Sequence, residues 1–244
     1  MSSSGFCDDR RVFGRSARIY DAVYSSKDYP AEAARVHALI QERLPGASSL
    51  LDVACGTGKH LEQFRRWYEV AGVDLDERLI EIARERLGDV PLHVADMTTF
   101  ELGSRFDAVT CLFSAIGYAG TLEGLTRAVA TMARHLTPNG VLMLEPWLAP
   151  DAWVVGRSDL LAVDQPDLKI ARMTISGREG RLAIMDFTYL VATTRGLEQF
   201  SERHEMALFT DNEYREAFTA AGLAVEHDED GLLGRGLYVG QPTR

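Results

Sequence analysis

Leu50–His60, LLDVACGTGKH, holds a short apolar run, a glycine-rich turn and the start of a basic, amphipathic segment. LLDVA has no alternation of polar and apolar residues, as expected for a strand covered on both faces of a parallel sheet. Gly56 and Gly58 let the backbone approach a ligand where a Cβ would collide, and the N–H groups of the helix behind them are free to face it. The stretch therefore predicts the first strand–turn–helix unit of an α/β nucleotide-binding domain.

Outward from this unit the pattern repeats. VAGVDLD (70–76), LHVAD (92–96), FDAVTCLF (106–113) and GVLMLEPW (140–147) read as further strands. KHLEQFRRWY, ERLIEIARERLG and LEGLTRAVATMARHL read as helices, and TPNG as a turn. Ahead of them, Tyr29–Leu44 carries a proline near its start and apolar residues at helical spacing, and is closed by PGASS. Five alternations over residues 50–147 predict a mostly parallel sheet with helices on both faces.

From Leu168 to Phe209 the period changes towards two, predicting three long antiparallel strands joined by GREGR and TTRG. A capped helix, TDNEYREAFTAAG, and two strands, LAVEHDED and RGLYVGQ, close the chain. Four segments result: a cofactor-covering N-terminus (1–28), a nucleotide-binding core (29–150), an antiparallel lobe on the substrate side (151–209) and a C-terminal helix with strands that complete the core sheet (210–244).

The bulk properties narrow the partners. The 244 residues suit one α/β domain with a small lobe, and a net charge of −10 argues against general binding to nucleic acid or anionic membranes. Cys7, Cys55 and Cys111 form neither a disulfide framework nor a metal-ligand pattern, which predicts reducing cytoplasm and no metal site. MSSSGFCDDRR has no apolar h-region, so no signal peptide is read; residues 1–15 are expected to be mobile, and no apolar run is long enough for a membrane span.

The identity of the nucleotide turns on the residues around the glycines. G-x-G-x-x-G fails because Leu61 stands at the third position, and the P-loop pattern is absent although Lys59 follows Gly58. Asp74 ends the second strand, where a carboxylate can accept two hydrogen bonds from a ribose diol. Asp96 and Met97 follow the third strand, placing a carboxylate and an apolar side chain beside a purine.

LLDVACGTG, GVDLD, ADM and FDAVTCLFSAIGY together resemble the class I S-adenosylmethionine-dependent methyltransferases over about residues 48–147. The resemblance implies a Rossmann-like, seven-stranded sheet with a reversed last strand. SARIYDAVYSSKDYPAEA, LEPW, SGREGR, LFTDNEYREAFTAAGL and GRGLYVG extend it, over roughly 16–241, to the dTDP-aminosugar N,N-dimethyltransferases, which make dimethylamino sugars of macrolide antibiotics. It implies S-adenosylmethionine as cofactor and a dTDP-linked deoxyaminosugar as substrate; a homodimer is the default assembly for such an enzyme.

Residue by residue, the resemblance implies cofactor contacts from Tyr20, Tyr29, Ala54, Gly56, Gly58, Asp74, Leu75, Asp96, Met97 and Phe113. The substrate contacts expected are Tyr29, Ser114 and Tyr118, with Glu145 and Trp147 at the ligand-binding end of the fifth strand, where Trp147 lines the pocket or packs under the lobe. Arg178 and Arg235 join them from glycine-rich turns, where a guanidinium can approach a diphosphate. Tyr118 is the candidate catalytic residue: its phenol orients the amine, lines the pocket or accepts the proton, although an ordinary phenol ionises only near pH 10. Tyr20 and Tyr29 flank the N-terminal loop and either close on the cofactor or pack in the core; Lys27 is read as exposed, His60 as making a structural hydrogen bond and Cys55 as a small apolar residue. Two other readings stay open: methylation at oxygen or nitrogen of another small molecule, and a non-catalytic module with a degenerate cofactor pocket.

Overall fold

Strand β1 (Ser49–Val53) lies inside the main sheet, with Leu50, Leu51 and Val53 fully buried, because helices cover both faces. The structure is a computed structural model that describes residues 13–232 and 234–243; expectations for residues 1–12, Cys7 among them, lie outside the described residues. The main sheet also contains β2 (Glu69–Asp74), β3 (Leu92–Val94), β4 (Phe106–Cys111), β5 (Leu136–Leu144), β10 (Leu223–Asp228) and β11 (Leu237–Pro242). Its order is β10-β11-β5-β4-β1-β2-β3, with β11 antiparallel to both neighbours. This is the Rossmann-like, seven-stranded, mostly parallel sheet that the methyltransferase resemblance implies.

Helices α2 (Tyr29–Arg43), α3 (Lys59–Phe64) and α4 (Glu77–Leu87) contribute Ala33, Val36, Ile40, Leu61, Phe64, Ile80 and Leu87 to the core on one face. Helices α5 (Leu122–Arg134) and α6 (Asp211–Ala220) contribute Leu125, Val129, Met132, Ala217 and Phe218 on the other. Side chains fix the helix starts: Asp28, Asp76 and Thr121 cap α2, α4 and α5, and Thr210 with Glu213 forms a capping box on α6.

The antiparallel lobe has four strands, not three. Strand β6 (Ser158–Gln165) precedes β7 (Leu168–Glu179), β8 (Leu182–Thr193) and β9 (Gly196–Ala207), in the order β6-β7-β8-β9. β6 is an edge strand with no fully buried residue; only Leu161 and Val163 pack, half-buried, on the lobe core, too short an alternation to read as a strand. Two other elements differ from expectation. α3 ends at Phe64, before RRWY, and TPNG lies within β5 as an irregularity: the register jumps from Phe106↔Leu136 to Ala108↔Val141.

A short helix, α1 (Tyr20–Val23), ties the lobe to the core. Ile19 and Val23 pack against Ile170, Phe187, Tyr189, Val191 and Phe200 on the lobe's inner face. On its other side Asp21 accepts from Thr57 Oγ1 at 2.6 Å and forms an ion pair with Arg86 of α4, whose guanidinium also donates to the Thr57 carbonyl.

Candidate active site

The carboxyl ends of β1, β2, β3, β4 and β5 open on one cavity of about 690 Å³, the edge where ligands bind in open α/β sheets. Ala54, Asp74, Met97, Phe113 and Trp147 line it from the core; α1 supplies Tyr20, Tyr24 follows directly after that helix, and the lobe supplies Arg172, Phe187, His204 and Met206.

Two turns beside it hold strained backbone. Ala54 has φ 59°, and the consecutive Phe113 and Ser114 have φ 54° and 61°, all in the left-handed region that non-glycine residues avoid. Gly56 and Gly58 share the positive φ but do different work. A Cβ on Gly56 would meet nothing within 4 Å, and the residue lines the cavity. One on Gly58 would lie 2.7 Å from Leu87 Cδ1 and 3.2 Å from Ala83 Cβ, so Gly58 lets α4 seat against the turn and lies outside the lining.

Asp74 receives two backbone N–H donors, Gly56 to Oδ2 at 2.8 Å and Asp76 to Oδ1 at 2.9 Å. Each oxygen keeps a second lone pair, enough to accept from the two hydroxyls of a ribose. Burial raises its pKa to about 6 against the opposing pull of those N–H groups. Leu75, half exposed, and Ala95, Asp96 and Met97 continue the wall; Asp96 Oδ1 is engaged by the Thr98 N–H and hydroxyl, each at 2.7 Å. These residues fit a ribose and an adjoining purine.

On the substrate side, Tyr118 contacts His204 Nδ1 through its hydroxyl at 2.7 Å. Burial, with Tyr24, Tyr189, Asp74 and Glu202 nearby, raises the phenol well above its ordinary range. Arg235 lines the cavity, donates to Ser114 Oγ at 2.7 Å and stands over the Trp147 ring at 5.3 Å. Arg172 also lines it; its guanidinium lies over the Phe187 ring at 4.7 Å, and its buried Nε has no partner among the described residues.

Several residues expected at the ligand stand elsewhere. Tyr29 packs against His60 at 4.9 Å and lies outside the lining. Arg178 donates to the carbonyls of Gly180 and Pro150 at 2.9 and 3.0 Å and also lies outside it. Ser114 and Glu145 are fully buried behind the wall: Ser114 donates to the Pro146 carbonyl, and Glu145 Oε2 accepts from the Phe113 N–H at 2.6 Å. Lys27 is not exposed; it is buried in an ion pair with Glu32, which also holds His60 at 3.0 Å. Tyr24, Arg172 and His204 went unread in the sequence. The only signal was period two, which puts Glu202, His204 and Met206 on one face of β9 and Ile170, Arg172 and Thr174 on one face of β7.

Residues 50–140 match the family described as methyltransferase domain. The chain is 46% identical over 231 residues, 93% of its length and 98% of the relative's, to the dTDP-3-amino-3,4,6-trideoxy-alpha-D-glucopyranose N,N-dimethyltransferase of Streptomyces venezuelae. The chain belongs to the dTDP-aminosugar N,N-dimethyltransferase family. Another such dimethyltransferase, of Saccharopolyspora spinosa, acting on dTDP-4-amino-2,3,4,6-tetradeoxy-D-glucose, is 43% identical over 98% of this chain and 97% of its own. The solved structure of S-adenosylmethionine-bound CalS10, an amino pentose methyltransferase from Micromonospora echinaspora involved in calicheamicin biosynthesis, superposes with a TM-score of 0.85. It is 42% identical, covering 92% of this chain and 97% of that one. The cavity of this dimethyltransferase-family chain thus lies in the fold that holds S-adenosylmethionine in CalS10. Among the described residues no helix is long and apolar enough to cross a membrane.

Proposed function

We propose that this protein transfers methyl groups from S-adenosylmethionine to the amino group of a dTDP-linked deoxyaminosugar, twice on one nitrogen, in the making of an antibiotic sugar. The observation that carries the reading is one cavity that joins a ribose-type carboxylate, Asp74, to Arg172 and Arg235, two of the four arginines that line it. In a chain of net charge −10, guanidinium groups lining a partly apolar cavity favour a diphosphate. The relatives methylate amines at C3 in one case and C4 in the other, so family membership leaves the amino carbon open.

Core residues 29–150 hold the cofactor: Asp74 the ribose, Asp96 and Met97 the purine side, Ala54 and Gly56 the tail. When bound, S-adenosylmethionine supplies a sulfonium methyl that is already strongly electrophilic. The protein then has to exclude water and align a neutral amine for in-line attack. Tyr20, Tyr24 and Phe113 close one side of the cavity and Phe187 and Met206 the other. Trp147 forms the floor beneath Arg235. An ammonium has no lone pair, so one proton leaves the amine before each transfer.

A homodimer belongs to the same proposal. The outer face of the lobe exposes Leu160, Met173, Ile175, Leu190 and Leu197, which a second copy would cover. Light scattering of a Met173→Glu variant would give a monomer where the unaltered chain gives a dimer.

The decisive experiment incubates the protein with S-adenosylmethionine and dTDP-linked sugars bearing the amine at C3 or C4, read by mass. Gain of two methyls on one member supports the reading; methylation of none, with cofactor binding intact by calorimetry, overturns it. With the substrate in hand, Arg172→Ala should raise KM about tenfold and Arg178→Ala less than about twofold, because only the first faces the ligand.

A further inference from the structure

We propose that His204 receives, through the Tyr118 hydroxyl, the proton that the amine must lose, with Glu202 holding His204 in the tautomer this requires. The inference rests on the amine-methylation reading and adds to it the proton acceptor.

Three observations carry it. Tyr118 Oη and His204 Nδ1 are 2.7 Å apart, and both residues line the cavity. His204 is 3% exposed and held by rings on two sides, Phe13 at 5.0 Å and Phe187 at 4.8 Å, so it cannot turn away. Behind it stand two buried polar atoms without a hydrogen-bond partner among the described residues, His204 Nε2 and Glu202 Oε2, 3.8 Å from each other. Glu202 is itself fixed, since its Oε1 accepts from the Arg15 and Ser16 N–H groups at 2.7 and 2.9 Å. The arrangement is a carboxylate, an imidazole and a phenol in series, ending at the cavity.

A proton on Nε2, facing the carboxylate, leaves Nδ1 as acceptor and Tyr118 as donor. The phenol is held in its neutral form by burial and is a poor base by itself. In series it needs no phenolate. As an ammonium N–H breaks and its electron pair stays on nitrogen, that proton joins Tyr118 Oη, and the proton already on Oη moves to His204 Nδ1. Tyr118 is neutral before and after; His204 becomes an imidazolium facing Glu202. The first transfer yields a methylated ammonium, so the cycle must repeat before the second. The proton returns by the same path to water when product leaves. The other titratable or charged groups around this corner are Tyr20 of α1, Tyr24 just after it, Asp74 of β2, Arg172 of β7 and Tyr189 of β8. Glu202 is the carboxylate beside the imidazole: burial pushes it up, but the nearby His204 ring and the hydrogen bonds from the Ser16 and Arg15 N–H groups prevail and hold it below the usual carboxylate range.

His204 acts through Tyr118, so it is a positioning residue, and the test reads a pH profile. The profile of kcat/KM is measured for the unaltered enzyme, His204→Gln and Tyr118→Phe, with cofactor affinity followed by calorimetry. Both variants should lose about a hundredfold at pH 7 and recover towards the parent as the solution approaches the pKa of the amine itself. The double variant should be no worse than either single one, because the two act as a unit. A loss uniform across pH, or additive in the double variant, overturns the relay. Histidine-¹⁵N spectra of the unaltered protein give a second readout: the Nε2–H tautomer at neutral pH is expected, and Nδ1–H overturns the proposal. Failure of the unaltered enzyme to methylate any amino sugar instead refutes the substrate reading, and the relay with it.

Discussion

The two glycines of the turn look alike in the sequence and are opposite in structure. Gly58→Ala drives a methyl into Leu87 and Ala83, so its cost falls on stability, about 2 kcal/mol or more, read as a lowered Tm with cofactor affinity per folded molecule little changed. Gly56→Ala meets no atom and pays only the strain of its backbone, about 1–2 kcal/mol. Its larger effect should be on cofactor Kd, since the methyl projects at the ligand. Asp74 gives a pH prediction. Its pKa near 6 means that the carboxylate that must accept from a ribose is progressively protonated below pH 6. Cofactor Kd should weaken about tenfold between pH 7 and pH 5 and lose most of that dependence in Asp74→Asn, itself a weak binder. A Kd flat across this range would remove Asp74 from the ribose. At this scale the placement of Gly56, Asp74, Asp96 and Tyr118 at the cavity was legible because strand ends in an α/β sheet converge by rule. Gly58, Tyr29 and Arg178 stand outside the lining, since nothing in a turn, loop or hairpin states which way it faces.

At the scale of elements, β1 and β4 meet at a buried pair, Asp52 Oδ1 accepting from Thr110 Oγ1 at 2.7 Å. Burial raises Asp52 to about 6 from 3.8, despite that hydrogen bond and the nearby His60. The folded state therefore binds its proton more tightly than the unfolded chain. The stability this contributes is full below about pH 4 and is lost as pH rises through 6. Asp52→Asn should match the parent near pH 4 and exceed it by about 2 kcal/mol at pH 7, as measured by denaturant melts at both. The reverse order would mean that the carboxylate is stabilised in the folded state. Legibility here followed burial. The core strands and their helices showed their periods because one face of each is apolar. β6 showed little, because it is an edge strand on which only Leu161 and Val163 pack, half-buried, against the lobe core.

For the whole molecule, the N-terminal segment is the joint between core and lobe. Asp21 holds the glycine turn and α4, Ile19 and Val23 hold the lobe, and Glu202 of β9 holds the Arg15 and Ser16 N–H groups. The cavity wall formed by Tyr20 and Tyr24 depends on these anchors. Asp21→Ala removes the one on the cofactor side while leaving both apolar cores intact. Cofactor should then dissociate about tenfold faster by stopped flow, with a Tm change of only a few degrees. An unchanged dissociation rate would mean that the segment does not cover the cofactor.

The sequence by itself determined the parallel sheet, its order of strands and helices, the reversed last strand and the family, because these follow from local periods and from short motifs whose residues are neighbours in the chain. Only the tertiary structure decided which side chains share the cavity. Tyr118 meets His204 across 86 residues and Ser114 meets Arg235 across 121. Pairings of that kind are set by how the lobe seats on the core through α1, and no local pattern encodes the relative placement of two packed layers.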